Sequence, residues 1–297
     1  MKVLVTGGSG FIGSRLQKSH PDWVYVSSKN FDLTKQHDAF LMFYEIKPDA
    51  VIHLAGKVGG IKDNLEKQEE YFFLNTIINT NVIRAAIKTG TPRLLASMST
   101  CAFPDELKSY PFSEEELFCG PPAKTNFSYG FSKRMLHVHC MSCRKQYGLN
   151  YSTFCPTNVY GPGDTFDSEA SHFVPALISK LHKAKSGEVI DLWGTGKPLR
   201  QQLYIDDLVE IVPLLLEKHN SNVPLIVAPN ENLSISEMAN ILLHKLNKDN
   251  QIRYNIKLEG QYRKDGSNKR LKNIIGEFDF TKFEDGVYKT YEWYSNK

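Results

Sequence analysis

No apolar run in the 297-residue chain approaches the roughly 20 residues that cross a bilayer, so no segment reads as a membrane span. A charged-then-apolar leader is missing too. The chain opens Met1-Lys2-Val3-Leu4-Val5-Thr6-Gly7, straight into strand-like sequence and a glycine turn. Cysteine is sparse and odd in number, with five residues at 101, 119, 140, 143 and 155. That count and the lack of a leader argue against a disulfide framework and point to free thiols in a reducing cytoplasm. Cys140 and Cys143 form a CxxC just after His137 and His139, but no second ligand pair has matching spacing. The segment reads as helix interior, and no metal is expected. An excess of one charge is also lacking. Net charge is only +3 and scattered, which argues against a nucleic-acid partner but leaves room for a basic patch facing a diphosphate. There is no internal repeat and no low-complexity tract.

What is present is an alternation of strand-like and helix-like segments. Lys2–Thr6, Trp23–Ser27, Ala50–Leu54, Arg93–Ser99 and Tyr151–Cys155 read as strands. Helical stretches separate them, near Phe11–His20, Thr34–Glu45, Glu66–Lys88 and Ser128–Tyr147. Nearly continuous apolar strands in βαβα order predict an α/β fold, a Rossmann-type doubly wound parallel sheet with helices on both faces. After Gly161-Pro162-Gly163 the rhythm loosens. Ser234-Ile235-Ser236-Glu237 reads as a capping box opening a later helix, and Arg263–Lys272 reads as a basic loop. The expected organisation is a dinucleotide-binding domain over residues 1–165 and a smaller, interleaved substrate domain over 166–297, some of whose segments return to the first.

Thr6-Gly7-Gly8-Ser9-Gly10-Phe11-Ile12-Gly13 follows the first strand and opens the first helix. Gly7 permits the tight turn, Gly10 lets backbone amides approach a pyrophosphate, and Gly13 allows close helix–strand packing. NAD-specific sites place a carboxylate at the end of the second strand to hold the ribose 2′-hydroxyl. Here that strand ends Val26-Ser27-Ser28-Lys29, and hydroxyls with an ammonium favour a 2′-phosphate, hence NADP(H). Asp32 keeps NAD as the alternative, unless Asp32-Leu33 meets the adenine instead.

Tyr129 and Lys133 stand four apart at a helix start, on one face. A phenol titrates near 10 and needs help to exchange protons at neutral pH, which the Lys133 charge, with that of the oxidised cofactor, is expected to supply. Ser99-Thr100-Cys101 ends the fourth strand at the carboxyl edge, where open α/β sheets bind ligands. Extended geometry would point Ser99 and Cys101 to the same side.

With these residues in view the chain resembles the GDP-L-fucose synthase family of extended short-chain dehydrogenases/reductases, essentially end to end. The resemblance is carried by Thr6–Gly13, Val58-Gly59-Gly60, Ser99-Thr100-Cys101-Ala102-Phe103-Pro104, Tyr129 with Lys133, Pro156-Thr157-Asn158-Val159-Tyr160-Gly161-Pro162, Ser171-His172 and Trp193–Arg200. It implies a bifunctional enzyme that epimerises GDP-4-keto-6-deoxy-D-mannose at C3 and C5 and reduces C4 with NADPH. Under it Cys101 is the base and His172 the acid on the opposite face. Ser99 and Tyr129 hold the C4 oxygen, and Lys133 holds cofactor and tyrosine. It also sets Phe11, Ile12, Pro156, Thr157, Asn158, Val159 and His172 against the cofactor, and Lys180, Trp193, Arg200 and Glu259 against the nucleotide-sugar. A homodimer through the helices near 66–88 and 128–147 is implied as well. The chain departs from the family at Gly163 and Thr165, where His and Asn are usual. Glu259 stands for Asp, and Lys180 for the Arg of some members. Two other readings stay open: a related enzyme, for another GDP-4-keto-deoxyhexose or limited to a single epimerase or reductase step, and a non-catalytic NADP(H)-binding regulator. Intact Ser99, Cys101, Tyr129, Lys133 and His172 weigh against the second.

Overall fold

The structure, a computed structural model, describes residues 1–166, 171–256 and 260–297. Its first half runs β1 (Val3–Thr6), α1 (Phe11–Ser19), β2 (Val24–Val26), α2 (Gln36–Ile46), β3 (Ala50–His53), α3 (Ile61–Glu66), α4 (Gln68–Lys88), β4 (Arg93–Ser97), α5 (Phe127–Tyr147), β5 (Asn150–Pro156) and β6 (Asn158–Tyr160). The second half runs α6 (Phe173–Lys183), β7 (Val189–Trp193), β8 (Leu199–Arg200), β9 (Gln202–Tyr204), α7 (Ile205–Lys218), β10 (Leu225–Val227), β11 (Leu233–Ser234), α8 (Ile235–Lys245), β12 (Gln251–Asn255), α9 (Lys269–Ile275) and α10 (Phe283–Ser295).

Six strands form one parallel sheet in the order β10-β5-β4-β3-β1-β2. The chain winds outward in both directions from β1, which leaves a crevice at the carboxyl edge between β1 and β3. This is the Rossmann-type sheet expected from the alternation. The central strands are fully buried, Val3 to Thr6 and Ala50 to His53 alike, because helices cover both faces. One apolar cluster joins β1 and β3 to α6, α7 and α8, so the later half shares its core with the first. A second cluster lies beneath α2, α4 and α5 and takes in Cys140 and Cys143. These cysteines are buried core residues, and among the described residues no group of His, Cys, Asp or Glu is arranged to hold a metal. No described helix is long and apolar enough to cross a membrane.

Polar links fix the halves together. Arg15 pairs with Asp206 through two bonds of 2.5 and 2.8 Å, tying α1 to α7. Arg93 on β4 donates to the carbonyls of Leu215, Leu216 and His219 at the end of α7, all at 3.0 Å. Burying this guanidinium without those acceptors would be costly.

The long helix expected near Glu66–Lys88 is present as α4, preceded across Lys67 by the short α3. Two local expectations are corrected. Ser99-Thr100-Cys101 is not extended: after Ser99 the chain tightens into a 3₁₀ turn over Thr100–Ala102. The basic loop contains α9, a short helix anchored by the buried Leu271. The capping box is present, with Glu237 N–H donating to Ser234 Oγ at 3.1 Å and Glu237 accepting from Ser234 N–H at 2.7 Å.

Candidate active site

The glycine turn sits at the crevice. Gly7 has φ +75°, and a Cβ there would come within 2.8 Å of the Ala55 backbone nitrogen. A Cβ on Gly13 would stand 2.3 Å from the Gly7 carbonyl oxygen, so α1 packs against the turn only with glycine at that place. Gly10 caps α1 with extended backbone and no capping side chain, and Phe11 and Ile12 form the helix's first turn. The amides at this helix start therefore have no side chain bonding over them, the arrangement that receives a pyrophosphate. Across the crevice Pro156 ends β5 and Asn158 and Val159 lie on β6. Thr157 between them is buried, and its Oγ1 has no hydrogen-bond partner among the described residues. A cradle that a Cβ would fill and a buried hydroxyl with no partner among the described residues fit a bound dinucleotide.

Beyond β2, Ser28 and Lys29 are exposed. Asp32 is already engaged. Its Oδ1 accepts from Thr34 N–H at 3.1 Å and Thr34 Oγ1 at 2.6 Å, and Lys35 stands 3.3 Å from its Oδ2. These bonds hold its carboxyl below the usual range. The Leu33 side chain is part of the second core cluster, so only its backbone is left to meet an adenine.

Catalytic candidates converge at the end of β4. Ser99 Oγ accepts from Cys101 N–H at 3.2 Å, and Ser99 also hydrogen-bonds Tyr129 at the start of α5. Tyr129 is 7% exposed and lies edge-on to Tyr71. Lys133, one turn on, is 4% exposed and donates to the Ser97 carbonyl at 2.9 Å, with its Nζ 5.8 Å from the Tyr129 ring centre. The phenol is not lowered as expected. Burial pushes its pKa up, the charge of Cys101 adds to the rise, and the Ser99 hydrogen bond opposes them. Tyr129 is thus held as a neutral proton donor. Burial lowers Lys133 to about 8, against the charges of Cys155 and Cys101.

Cys101 behaves in the opposite way. Burial pushes its thiol up, but the charge and hydrogen bond of Lys264, with hydrogen bonds from Ser99 and Asn126, outweigh burial and bring it below the ordinary thiol value. Lys264 Nζ stands 2.7 Å from Cys101 Sγ. No motif pointed to Lys264 or Asn126. Lys264 lay in a basic stretch with nothing to set it apart. His172 caps α6, open to solvent on one side and enclosed by protein on the others. That enclosure lowers its pKa, and the Lys264 charge lowers it further.

On the substrate side Trp193 ends β7 with 53% of its surface exposed. Lys180 reaches the same strand, donating to the Asp191 carbonyl at 2.7 Å. Arg200 on β8 donates to the Leu199 carbonyl at 2.7 Å, and a Cβ on Gly260 would lie 3.2 Å from its Nη2. Glu259 lies outside the described residues. The departure at Gly163 has a local cause, since φ +95° there suits glycine and would strain a histidine.

A family model described as the NAD dependent epimerase/dehydratase family matches residues 3–228. A GDP-L-fucose synthase of Dictyostelium discoideum is 33% identical over 303 residues, covering 98% of this chain and 94% of that protein. A probable GDP-L-fucose synthase of Drosophila melanogaster is 32% identical, covering 99% and 97%. Among solved structures, a GDP-L-fucose synthetase from Naegleria fowleri bound to NADP superposes with TM-score 0.90 at 31% identity, covering 99% of this chain and 92% of that one. A GDP-6-OMe-4-keto-L-xylo-heptose reductase from C. jejuni shares the fold, with TM-score 0.91 at 22% identity.

Proposed function

Because the chain belongs to the NAD dependent epimerase/dehydratase family, and within it to the GDP-L-fucose synthases, we propose that it converts GDP-4-keto-6-deoxy-D-mannose to GDP-L-fucose with NADP(H) as cofactor. The observation that carries this reading is the convergence at the end of β4, where Cys101 and Tyr129 both meet Ser99, Lys264 Nζ stands 2.7 Å from Cys101 Sγ and Lys133 lies one turn beyond Tyr129. Tyr129 is held protonated while Cys101, joined to Ser99 like Tyr129, is biased toward the thiolate. One group is suited to give a proton and the other to take one.

The C4 ketone makes the protons at C3 and C5 acidic. Cys101 takes the proton, forming S–H, while the C–H electrons pass to the C4 oxygen as an enolate. Ser99 and Tyr129 hydrogen-bond that oxygen. His172 returns a proton to the opposite face, and both groups re-equilibrate with water before the second carbon reacts. Bound NADPH supplies the hydride for C4. Tyr129 then protonates the C4 oxygen, and Lys133 keeps a positive charge beside it.

In this reading residues 1–165 hold the cofactor and 166–297 shape the nucleotide-sugar side. Gly7, Gly10, Phe11, Ile12 and Gly13 cradle the pyrophosphate, while Ser28 and Lys29 meet the 2′-phosphate. Lys180 and Arg200 serve the sugar diphosphate, and Trp193 the sugar side. A homodimer through α4 and α5 is part of the proposal, supported by the exposed Phe72, Phe73, Met135 and Val138 on those helices. Sedimentation as a single copy would refute it. A cytoplasmic location is supported by five free thiols, and cell fractionation tests it. The decisive assay supplies GDP-4-keto-6-deoxy-D-mannose and NADPH and follows NADPH loss with the stereochemistry of the product. NADPH consumption giving GDP-L-fucose is expected. A product reduced at C4 but unchanged at C3 and C5 would overturn the reading.

A further inference from the structure

We infer that Lys264 is a positioning residue for the epimerisation half of the reaction, its ammonium holding Cys101 as a thiolate aimed at the sugar carbons beside the ketone. The inference rests on the function proposed above and adds a residue that neither the motifs nor the family resemblance assigns.

The contact is 2.7 Å from Nζ to Sγ and joins residues 163 apart in sequence. The strand of chain bearing Lys264 is gripped on both sides. Before it, Gln261 Nε2 donates to the carbonyls of Pro104 and Asp105 at 3.1 and 2.8 Å, just past the turn that carries Cys101. After it, Asp265 is buried, pairs with Arg263 at 2.8 and 2.9 Å, and accepts from Phe112 N–H at 2.9 Å. Gly266 N–H donates to Gln201 Oε1 at 2.9 Å, and Ser267 N–H to the Phe112 carbonyl at 2.7 Å. Lys264 is therefore carried over Cys101 by a strap with fixed ends. An ammonium tethered this way loses less freedom on pairing than a surface lysine does.

Charges around the thiol leave Lys264 as the main source of the effect. Tyr129 is neutral, Ser99 and Asn126 give hydrogen bonds, and Lys133 is turned to the Ser97 carbonyl. His172 also feels this ammonium, which adds to burial in disfavouring its imidazolium form. A cation beside a buried thiol is the usual means of keeping it ionised at neutral pH.

The test titrates Cys101 by its rate of alkylation with iodoacetamide against pH, read by mass spectrometry of the Cys101 peptide, with no sugar present. In the wild-type chain the midpoint should fall below the ordinary thiol value of about 8.5. In Lys264→Met it should rise by about one pH unit or more, and Lys264→Arg should restore most of the difference. Alkylation of Lys264→Met near neutral pH should then be several-fold slower, since rising nucleophilicity offsets part of the lost thiolate. With substrate, the acid limb of the deuterium-exchange profile should move upward in Lys264→Met while the limb of C4 reduction stays in place. A wild-type midpoint at or above the ordinary value overturns the inference without any variant. An unshifted midpoint in a Lys264→Met protein that still binds NADPH also overturns it. Failure to form GDP-L-fucose in the wild type would instead defeat the proposed function and leave the thiol titration readable.

Discussion

The cofactor edge and the substrate side of this molecule are built in different ways. At the cofactor edge eight consecutive residues, Thr6 to Gly13, supply the turn, the close approach and the helix start together. In the proposed catalytic site Cys101, Asn126, His172 and Lys264 come from four separate stretches, and their electrostatics exist only once the chain is folded. A pyrophosphate needs backbone amides, which a local motif can present. A base needs a tuned proton affinity, and that is set by whichever charges the fold brings near.

Three substitutions sharpen the contrast, in falling order of effect. Tyr129→Phe removes the proposed C4 proton donor and should slow reduction by about 10²–10⁴-fold. Deuterium exchange at C3 and C5 should suffer less, because Ser99 still faces the C4 oxygen. Equal losses in both, measured by stopped-time mass spectrometry, would show that the two half-reactions do not divide as described. If Arg200 meets the sugar diphosphate as proposed, Arg200→Ala removes a charge-assisted contact of about 1.5–3 kcal/mol, roughly a tenfold to hundredfold weakening of GDP-sugar binding. Calorimetry should find NADPH binding unchanged, and an unaltered sugar affinity would place the diphosphate elsewhere. Lys29→Asp should lower the preference for NADPH over NADH by a few-fold to about tenfold, as befits an exposed charge. A wild-type protein that binds NADH as tightly as NADPH would return Asp32 to the ribose.

The legible parts of the sequence were those in which a short stretch fixes its own geometry. The apolar strands, the glycine turn and the Ser234–Glu237 cap are of this kind, and the parallel sheet followed from the βαβα alternation. Tyr129 and Lys133 share a helix face by spacing, but the sign of the tyrosine's shift did not follow from it. Lys133 is turned to a carbonyl, and burial dominates. The 3₁₀ turn at Cys101 escaped reading because no proline marks it. Lys264 escaped because its role depends on anchors at Gln201, Pro104 and Phe112, none of them near it in sequence.

The central claim is that Cys101 is the base for both carbons while Tyr129 serves reduction. It is tested most directly by Cys101→Ala incubated in deuterated water with GDP-4-keto-6-deoxy-D-mannose, with and without NADPH. Mass spectrometry of the recovered sugar should find no deuterium at C3 or C5, while added NADPH is still consumed and yields a C4-reduced sugar with unaltered C3 and C5. Full exchange at both carbons in Cys101→Ala would contradict the account and assign the base to another residue.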